Sequence, residues 1–389
     1  MTLPPPPNTP YGGPHGDGFG GGPQWGSQQQ PAPAGGQFGG PPPWGPPPGQ
    51  PQWGGPPSGP PPKGGKSKWI LGGIIVALVV ALAVTVTVLV MRTDSDAPTP
   101  ADGGDSEFAS AGDTGPVNIV TEDPTCDAWG RISRDYSSRT QAVGWGDRDQ
   151  SVPESEWTPQ QRSMYESVVD AQEDASAQAE NLLKETPHRV VRELIEQFRV
   201  YSKAFAEKVP TYVQADDDLA VVTDTIASAL SNICSAVNQG SAQSVAPMIP
   251  APDAPTSPLK PGSDRAESRF IAVSSKSCDE WRSRSDKFTE QTQDWRLVSP
   301  SLSAREWTPS QRATVDAVIP VMAANAEKMQ MLGFSSDNPL FEDFAVLAAQ
   351  YQRAYIESIP GFTSKDAHLM EAATYLANTI FWACRAVQR

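Results

Sequence analysis

Two heptapeptides carry the side chains best suited to recognising a ligand. Glu156-Trp157-Thr158-Pro159-Gln160-Gln161-Arg162 recurs as Glu306-Trp307-Thr308-Pro309-Ser310-Gln311-Arg312, offset by 150 residues and differing at one position. In each, an indole, a carboxylate and a guanidinium fall within about two helical turns, a set that suits the face of a sugar or a peptide. Tyr201 and Tyr351 share the offset, which gives two candidate binding sets: Trp157, Arg162 and Tyr201, then Trp307, Arg312 and Tyr351. Local structure explains the same residues in another way. Thr-Pro-x-Gln is an N-cap, a first-turn proline and the third-position glutamine of a capping box, with the Trp fixing how the chain approaches the helix.

Groups able to run catalysis are not arranged for it. His15 lies in a Pro/Gly-rich tail, and His188 and His368 sit near helix starts with no partner evident from spacing. HExxH, GxSxG, GxxxxGKS and an EF-hand loop do not occur. Ser257-Pro258-Leu259-Lys260 has the S-x-x-K spacing, but its prolines deny it the helix that would hold Lys260 against Ser257. The four cysteines lack the CxxC or HxxxH companions of a metal site. No catalytic residue, metal ligand or cofactor is assigned, and a non-enzymatic role is expected.

The elements that would position the Trp–Arg motifs are helices. Val191, Leu194, Ile195, Phe198, Tyr201 and Phe205 follow helical spacing from Thr186-Pro187 to a stop at Pro210. Leu219, Val222, Ile226, Leu230, Ile233 and Val237 mark another, and Asp123-Pro124 opens a helix through Trp129 and Ile132. The second half repeats the plan, with Asn338-Pro339 opening its third helix and a kink expected at Pro320. The offset of 150 also pairs Trp145 with Trp295, Pro210 with Pro360, Asp216 with Asp366 and Cys234 with Cys384. The fold class expected is therefore all-α: two tandem duplicated four-helix bundles, residues 123–240 and 265–389, joined by a Pro-rich linker over 241–264. Cys126 and Cys278 open the first helices, Cys234 and Cys384 close the fourth, and antiparallel succession brings each pair to one pole. Of the three possible pairings, the repeat favours Cys126–Cys234 with Cys278–Cys384, four reduced core thiols being the other reading.

More than half of the 40 Pro and 32 Gly lie in residues 1–66, which cannot bury enough apolar area to fold and are expected to be disordered. Trp25, Trp44 and Trp53 recur there beside Pro and Gly, as weak docking points or as part of a spacer. Trp69–Met91 is uncharged and long enough to cross a bilayer as one helix. Lys63, Lys66 and Lys68 precede it, which places the N-terminus in the cytoplasm. Gly73, Ala77, Ala81 and Thr85 form a small-residue face that permits self-association. Residues 92–122 read as a flexible stalk. Because residues 1–92 are slightly basic, the net charge of −15 belongs to the outer part, which disfavours nucleic acid as a partner.

The Pro/Gly-rich tail, the single span, the paired Cys-Asp-x-Trp and Trp-Thr-Pro-x-Gln-Arg segments and the late cysteines resemble proline-rich single-pass membrane proteins of mycobacteria and related actinobacteria, a largely uncharacterised group. The resemblance implies a cell-envelope location and supplies no catalytic residues. The expected function is non-enzymatic binding or scaffolding by extracytoplasmic helical domains, with protein partners on both sides of the membrane. The alternative is binding or sensing of a cell-wall sugar or lipid intermediate.

Overall fold

The computed structural model describes residues 106–388; the tail, the span Trp69–Met91 with its Gly73/Ala77/Ala81/Thr85 face, and the start of the stalk lie outside the described residues. Among the described residues every regular element is a helix. Eight are long: α1 Cys126–Ala142, α2 Pro159–Ala179, α3 Arg189–Ala206, α4 Asp217–Asn238, α5 Lys276–Gln291, α6 Pro309–Phe334, α7 Pro339–Ser358 and α8 Ala367–Arg385.

The starts of α2, α5, α6 and α7 follow from side-chain capping. Thr158 Oγ1 accepts from Gln161 N at 3.2 Å while Gln161 Oε1 accepts from Thr158 N at 2.9 Å, and Thr308 with Gln311 repeats both bonds at 3.2 and 3.0 Å. Asn338 Oδ1 accepts from Leu340 N and Phe341 N at the head of α7. Asp123 takes the Thr125 amide at 2.8 Å and the Thr186 hydroxyl at 2.6 Å, tying the start of α1 to that of α3. Asp216 and Asp366 fold back onto the amides of Val213 and Thr363, a local role that accounts for their recurrence. The helix α6 runs unbroken through Pro320 for 26 residues. By contrast α2, which has no internal proline, stops at Ala179 and gives way to a separate turn at Leu182–Glu185.

Helices α1 to α4 pack each on its neighbour in sequence, with α4 returning to α1, and α5 to α8 close a second ring in the same way. Cys126 is bonded to Cys234 and Cys278 to Cys384, so each ring is closed covalently between its first and last helices. The rings are not separate bodies. The most extensive helix pair in the molecule is α4 with α8, one from each ring, and a single apolar core runs through both. Asp218 meets Arg385, Thr225 meets Thr379 and Asn232 meets His368, so the two helices run antiparallel. This burial explains why Gln214–Asn238 is long and apolar enough to pass for a membrane span. Two-thirds of its most apolar 18-residue stretch is buried inside the protein, and Asp217 and Asp218 lie at its head.

Two segments expected as connectors are part of this core. Val117, Ile119 and Val120 are buried, although they fall within the stretch read as a stalk. The amide of Val120 donates to the Tyr351 hydroxyl in the second ring at 3.3 Å. Residues 266–271 cross the other way: Gln197 of the first ring donates to the Ala266 and Ser268 carbonyls and accepts from Phe270 N at 2.9 Å. Thus the segment leading into each ring is held by the third helix of the other. In the linker Ala242 and Val245 are buried, and Gln350 reaches the Pro250 carbonyl at 3.1 Å. Val117, Ile119 and Val120 give the first of these segments side chains to bury, while Tyr351, Gln197 and Gln350 satisfy backbone groups along them.

Candidate functional site

Both Trp–Arg motifs are built by the capping boxes of α2 and α6. Trp157 is mostly buried and stacks on Tyr165 at 3.9 Å between centroids, with its Nε1 donating to the Val152 carbonyl at 3.0 Å. The Arg162 guanidinium lies 5.8 Å from that indole and pairs with Glu154 at 2.6 Å, where Glu156 was the nearer neighbour in sequence. Trp307 stacks on Phe362 at 5.6 Å, Arg312 lies 5.1 Å over it, and the Arg312 guanidinium donates to the Ala304 carbonyl. Glu306 turns away to accept from Ser303 Oγ at 2.7 Å and from Ser303 N at 2.9 Å, and these bonds hold its carboxyl below the ordinary range. Each indole therefore spends its face on an internal aromatic ring, and each guanidinium on the loop that precedes the helix.

The structure does not bring Tyr201 or Tyr351 to these motifs. Both are completely buried on α3 and α7. The Tyr201 ring meets Phe270 edge-on at 5.9 Å and its hydroxyl faces the Ile271 amide, while Tyr351 accepts from Val120. Burial pushes both phenols upward. They fasten the crossing segments and line no groove shared with Trp157, Arg162, Trp307 or Arg312.

Between α3 and α7 lies a buried ionic cluster that hydrophobic periodicity does not reveal. Arg189 grips Asp343 through two bonds, Nε to Oδ2 at 2.8 Å and Nη2 to Oδ1 at 3.2 Å, and its Nη1 donates to the Asp113 carbonyl at 2.7 Å. Arg192 pairs with Glu196 at 3.3 Å and donates to Ser110 Oγ at 3.0 Å and to the Leu259 carbonyl at 3.3 Å. Burial, then the neighbouring Asp343 carboxylate, pushes Glu193 well above the ordinary carboxylate range. The cluster gathers α3, α7, the leading segment and the linker at one point. Its geometry is that of a structural lock, since Arg189 pairs with Asp343 across α3 and α7 while Arg192 reaches from α3 to Ser110 and the Leu259 carbonyl.

His368, unassigned from the sequence, also joins the rings: Nδ1 lies 2.8 Å from Asn232 Oδ1 and 3.0 Å from Glu371 Oε2. A cavity of about 290 Å³ opens inside the second ring between α5, α6, α7 and α8, beside the turn Trp295–Leu297. Arg284, Asn325, Gln352 and Glu371 are its buried polar residues. The sequence signal that could have found it is Arg284, a cation three residues after Trp281, where the first half has Ile132 three residues after Trp129. Among the described residues no cluster of His, Cys, Asp or Glu is arranged to hold a metal ion.

Fold and site together define an all-α, disulfide-bonded protein whose two helical rings share one core. The chain belongs to the mycobacterial ESX-1 associated protein family, whose model matches residues 108–388. It is 38% identical over 328 residues to an uncharacterised protein of Mycolicibacterium smegmatis (strain MKD8), covering 83% of this chain and 87% of the relative. That share of the chain exceeds residues 106–388, so the similarity reaches into the segment ahead of the helical unit. No solved structure matches it. The mycobacterial kinship expected from the sequence is thereby established, and the family's description connects the chain with ESX-1.

Proposed function

We propose that this chain is a single-pass cell-membrane protein that works in or beside the ESX-1 secretion apparatus as a non-enzymatic docking unit. In this reading Trp69–Met91 is the anchor, residues 1–66 are cytoplasmic, and the two rings, copies of one duplicated four-helix unit, stand outside the cytoplasm. The observation that carries it is the pair of disulfides, Cys126–Cys234 and Cys278–Cys384, because such bonds form and persist in oxidising compartments. The lysines ahead of the apolar run, the family's description and the spread of the relative's similarity beyond the rings support the same reading. A unit locked by disulfides, exchanged leading segments and a buried ion cluster offers a partner a rigid surface that requires little ordering on binding.

The test is cross-linking in intact mycobacteria followed by purification of the full-length chain. Secretion-apparatus proteins bound to it are expected, and recovery of the cross-linked chain alone would contradict the docking role. Protease added to spheroplasts is expected to digest the part beyond residue 92; complete protection would overturn the topology.

A further inference from the structure

The cavity in the second ring has an excess of hydrogen-bond donors and positive charge that the protein itself does not answer. Arg284 is nine-tenths buried, and no carboxylate among the described residues pairs with it. Its Nη1 donates to Asn325 Oδ1 at 2.8 Å and Nη2 to Ser285 Oγ at 2.6 Å, while Nε has no partner. The guanidinium lies 4.3 Å from the Trp281 ring centroid. Burial without a counter-charge lowers its pKa to about 9. The hydrogen bonds run in one direction from there. Asn325 Nδ2 donates to Gln352 Oε1 at 2.7 Å, and the buried Gln352 Nε2 is left with nothing to donate to. Arg296, on the same wall, is also held below its ordinary pKa by burial, and its Nε donates to the Thr292 hydroxyl, not to an acid. In a chain with 45 acidic and 30 basic residues, two arginines on one wall that pair with no carboxylate are conspicuous.

The first ring shows what is missing. At the offsets that align the cysteines and tryptophans of the two rings, Phe288 stands where the first ring has Tyr136, and Thr374 where it has Asp224. There Tyr136 Oη donates to Asp224 Oδ1 at 2.6 Å, Gln172 donates to Tyr136 Oη at 3.3 Å, and Trp145 Nε1 donates to Asp224 Oδ2 at 3.4 Å. The first ring thus carries its own partly buried carboxyl group. The second has lost that carboxylate and gained an arginine, and the space is open. Glu371 is the one acid in the cavity wall; its Oε2 faces His368, and its Oε1 is an acceptor without a donor.

We propose that this cavity binds a small amphiphilic anion. A carboxylate or phosphate group takes the place of Asp224 against Arg284 and the Gln352 amide, and an apolar chain lies over Phe288, Met329 and Met370 toward exposed Leu297 at the mouth. Charge-assisted bonds to a buried guanidinium supply the specificity. The volume of about 290 Å³ lies at the small end of ordinary ligand pockets, of roughly 300–1,000 Å³.

The test is calorimetric titration of the full chain in zwitterionic nanodiscs, with empty discs as reference. Hexyl phosphate and hexanoate are the acidic probes, hexanol and hexylammonium the uncharged and cationic ones, and inorganic phosphate the headgroup alone. The acids are expected to bind at least about tenfold more tightly than the other probes, and Arg284→Met to weaken them by about tenfold or more. The double variant Phe288→Tyr/Thr374→Asp, which installs the first ring's pair, is expected to abolish binding, whereas Arg162→Ala leaves it unchanged. Preference between hexyl phosphate and hexanoate assigns the headgroup. Absence of binding by both acids, equal binding of hexanol, or unchanged affinity in both cavity variants would overturn the site. Inorganic phosphate binding as tightly as hexyl phosphate would overturn its amphiphilic character. None of these results bears on docking, which cross-linking judges.

Discussion

At the scale of single residues, the charged groups of the ring interface respond to pH in a calculable direction. Asp218, at the head of α4, pairs with Arg385 of the second ring at 3.3 Å, yet burial raises its carboxyl from 3.8 to about 6. Arg385 opposes the rise and Asp217 adds to it, while Asp217 is itself held by Arg148 at 2.9 Å. The folded chain holds the Asp218 proton more tightly than the unfolded chain, so this group's contribution to stability falls as pH rises from 3.8 to about 6 and stays lost above. Asp218→Asn is therefore expected to raise the thermal midpoint at neutral pH, with the gain shrinking through pH 6 and vanishing below about pH 4. A gain independent of pH would contradict this. Much at this scale was legible in sequence: both disulfides follow from cysteine positions, and the capping boxes from Thr-Pro-x-Gln. Tyr201 and Tyr351 share the offset of the binding motifs, but an offset shows recurrence and not direction, and each faces the segment that crosses from the other ring.

At the scale of elements, the second ring depends on one close approach. A Cβ on Gly333, in the last turn of α6, would lie 3.1 Å from Ala345 Cβ and 3.2 Å from the Glu342 carbonyl, both on α7. Gly333→Ala would gain about 1 kcal/mol of helix propensity, but it pushes two packed backbones apart, at a cost of about 1–3 kcal/mol. It is expected to lower the urea midpoint, while Gly361→Ala, which meets nothing within 4 Å, should not. A raised midpoint for Gly333→Ala would show that α6 and α7 can separate freely. Removing the second staple by Cys278→Ser/Cys384→Ser is expected to cost up to about 4–5 kcal/mol, read from the same urea curves; no loss would deny the bond a structural role. Helix starts were legible because caps are local chemistry. The unbroken passage of α6 through Pro320 was not, since packing along its length with α7 and α5 outweighs the proline's local preference.

For the whole molecule, the sequence indicates two similar halves and conceals that they share a core. An amphipathic pattern shows that α4 and α8 have buried faces, but not that they bury them against each other. The polar residues that lock the halves, Arg189, Arg192, Glu193, Gln197 and Asp343, read as solvent-facing until the partner element is seen. Pro and Gly content likewise marks 241–264 and the end of the stalk as connectors, although Val117, Ile119, Val120 and Val245 are buried. The cavity is hidden from the sequence for a related reason. It exists through differences between the halves, at Phe288, Thr374 and Arg284, whereas sequence comparison within the chain rewards their likeness.

The central claim is that the two rings form one cooperative body. It is tested most directly by hydrogen exchange of the full chain, read by mass spectrometry, in the wild type and in Arg189→Met. The substitution leaves Asp343 buried without its partner, at a cost of about 3–5 kcal/mol. The account predicts that protection falls in α7 and α8 of the second ring as much as in α3 and α4 of the first. Loss of protection confined to residues 123–240, with the second ring exchanging as in the wild type, would contradict it.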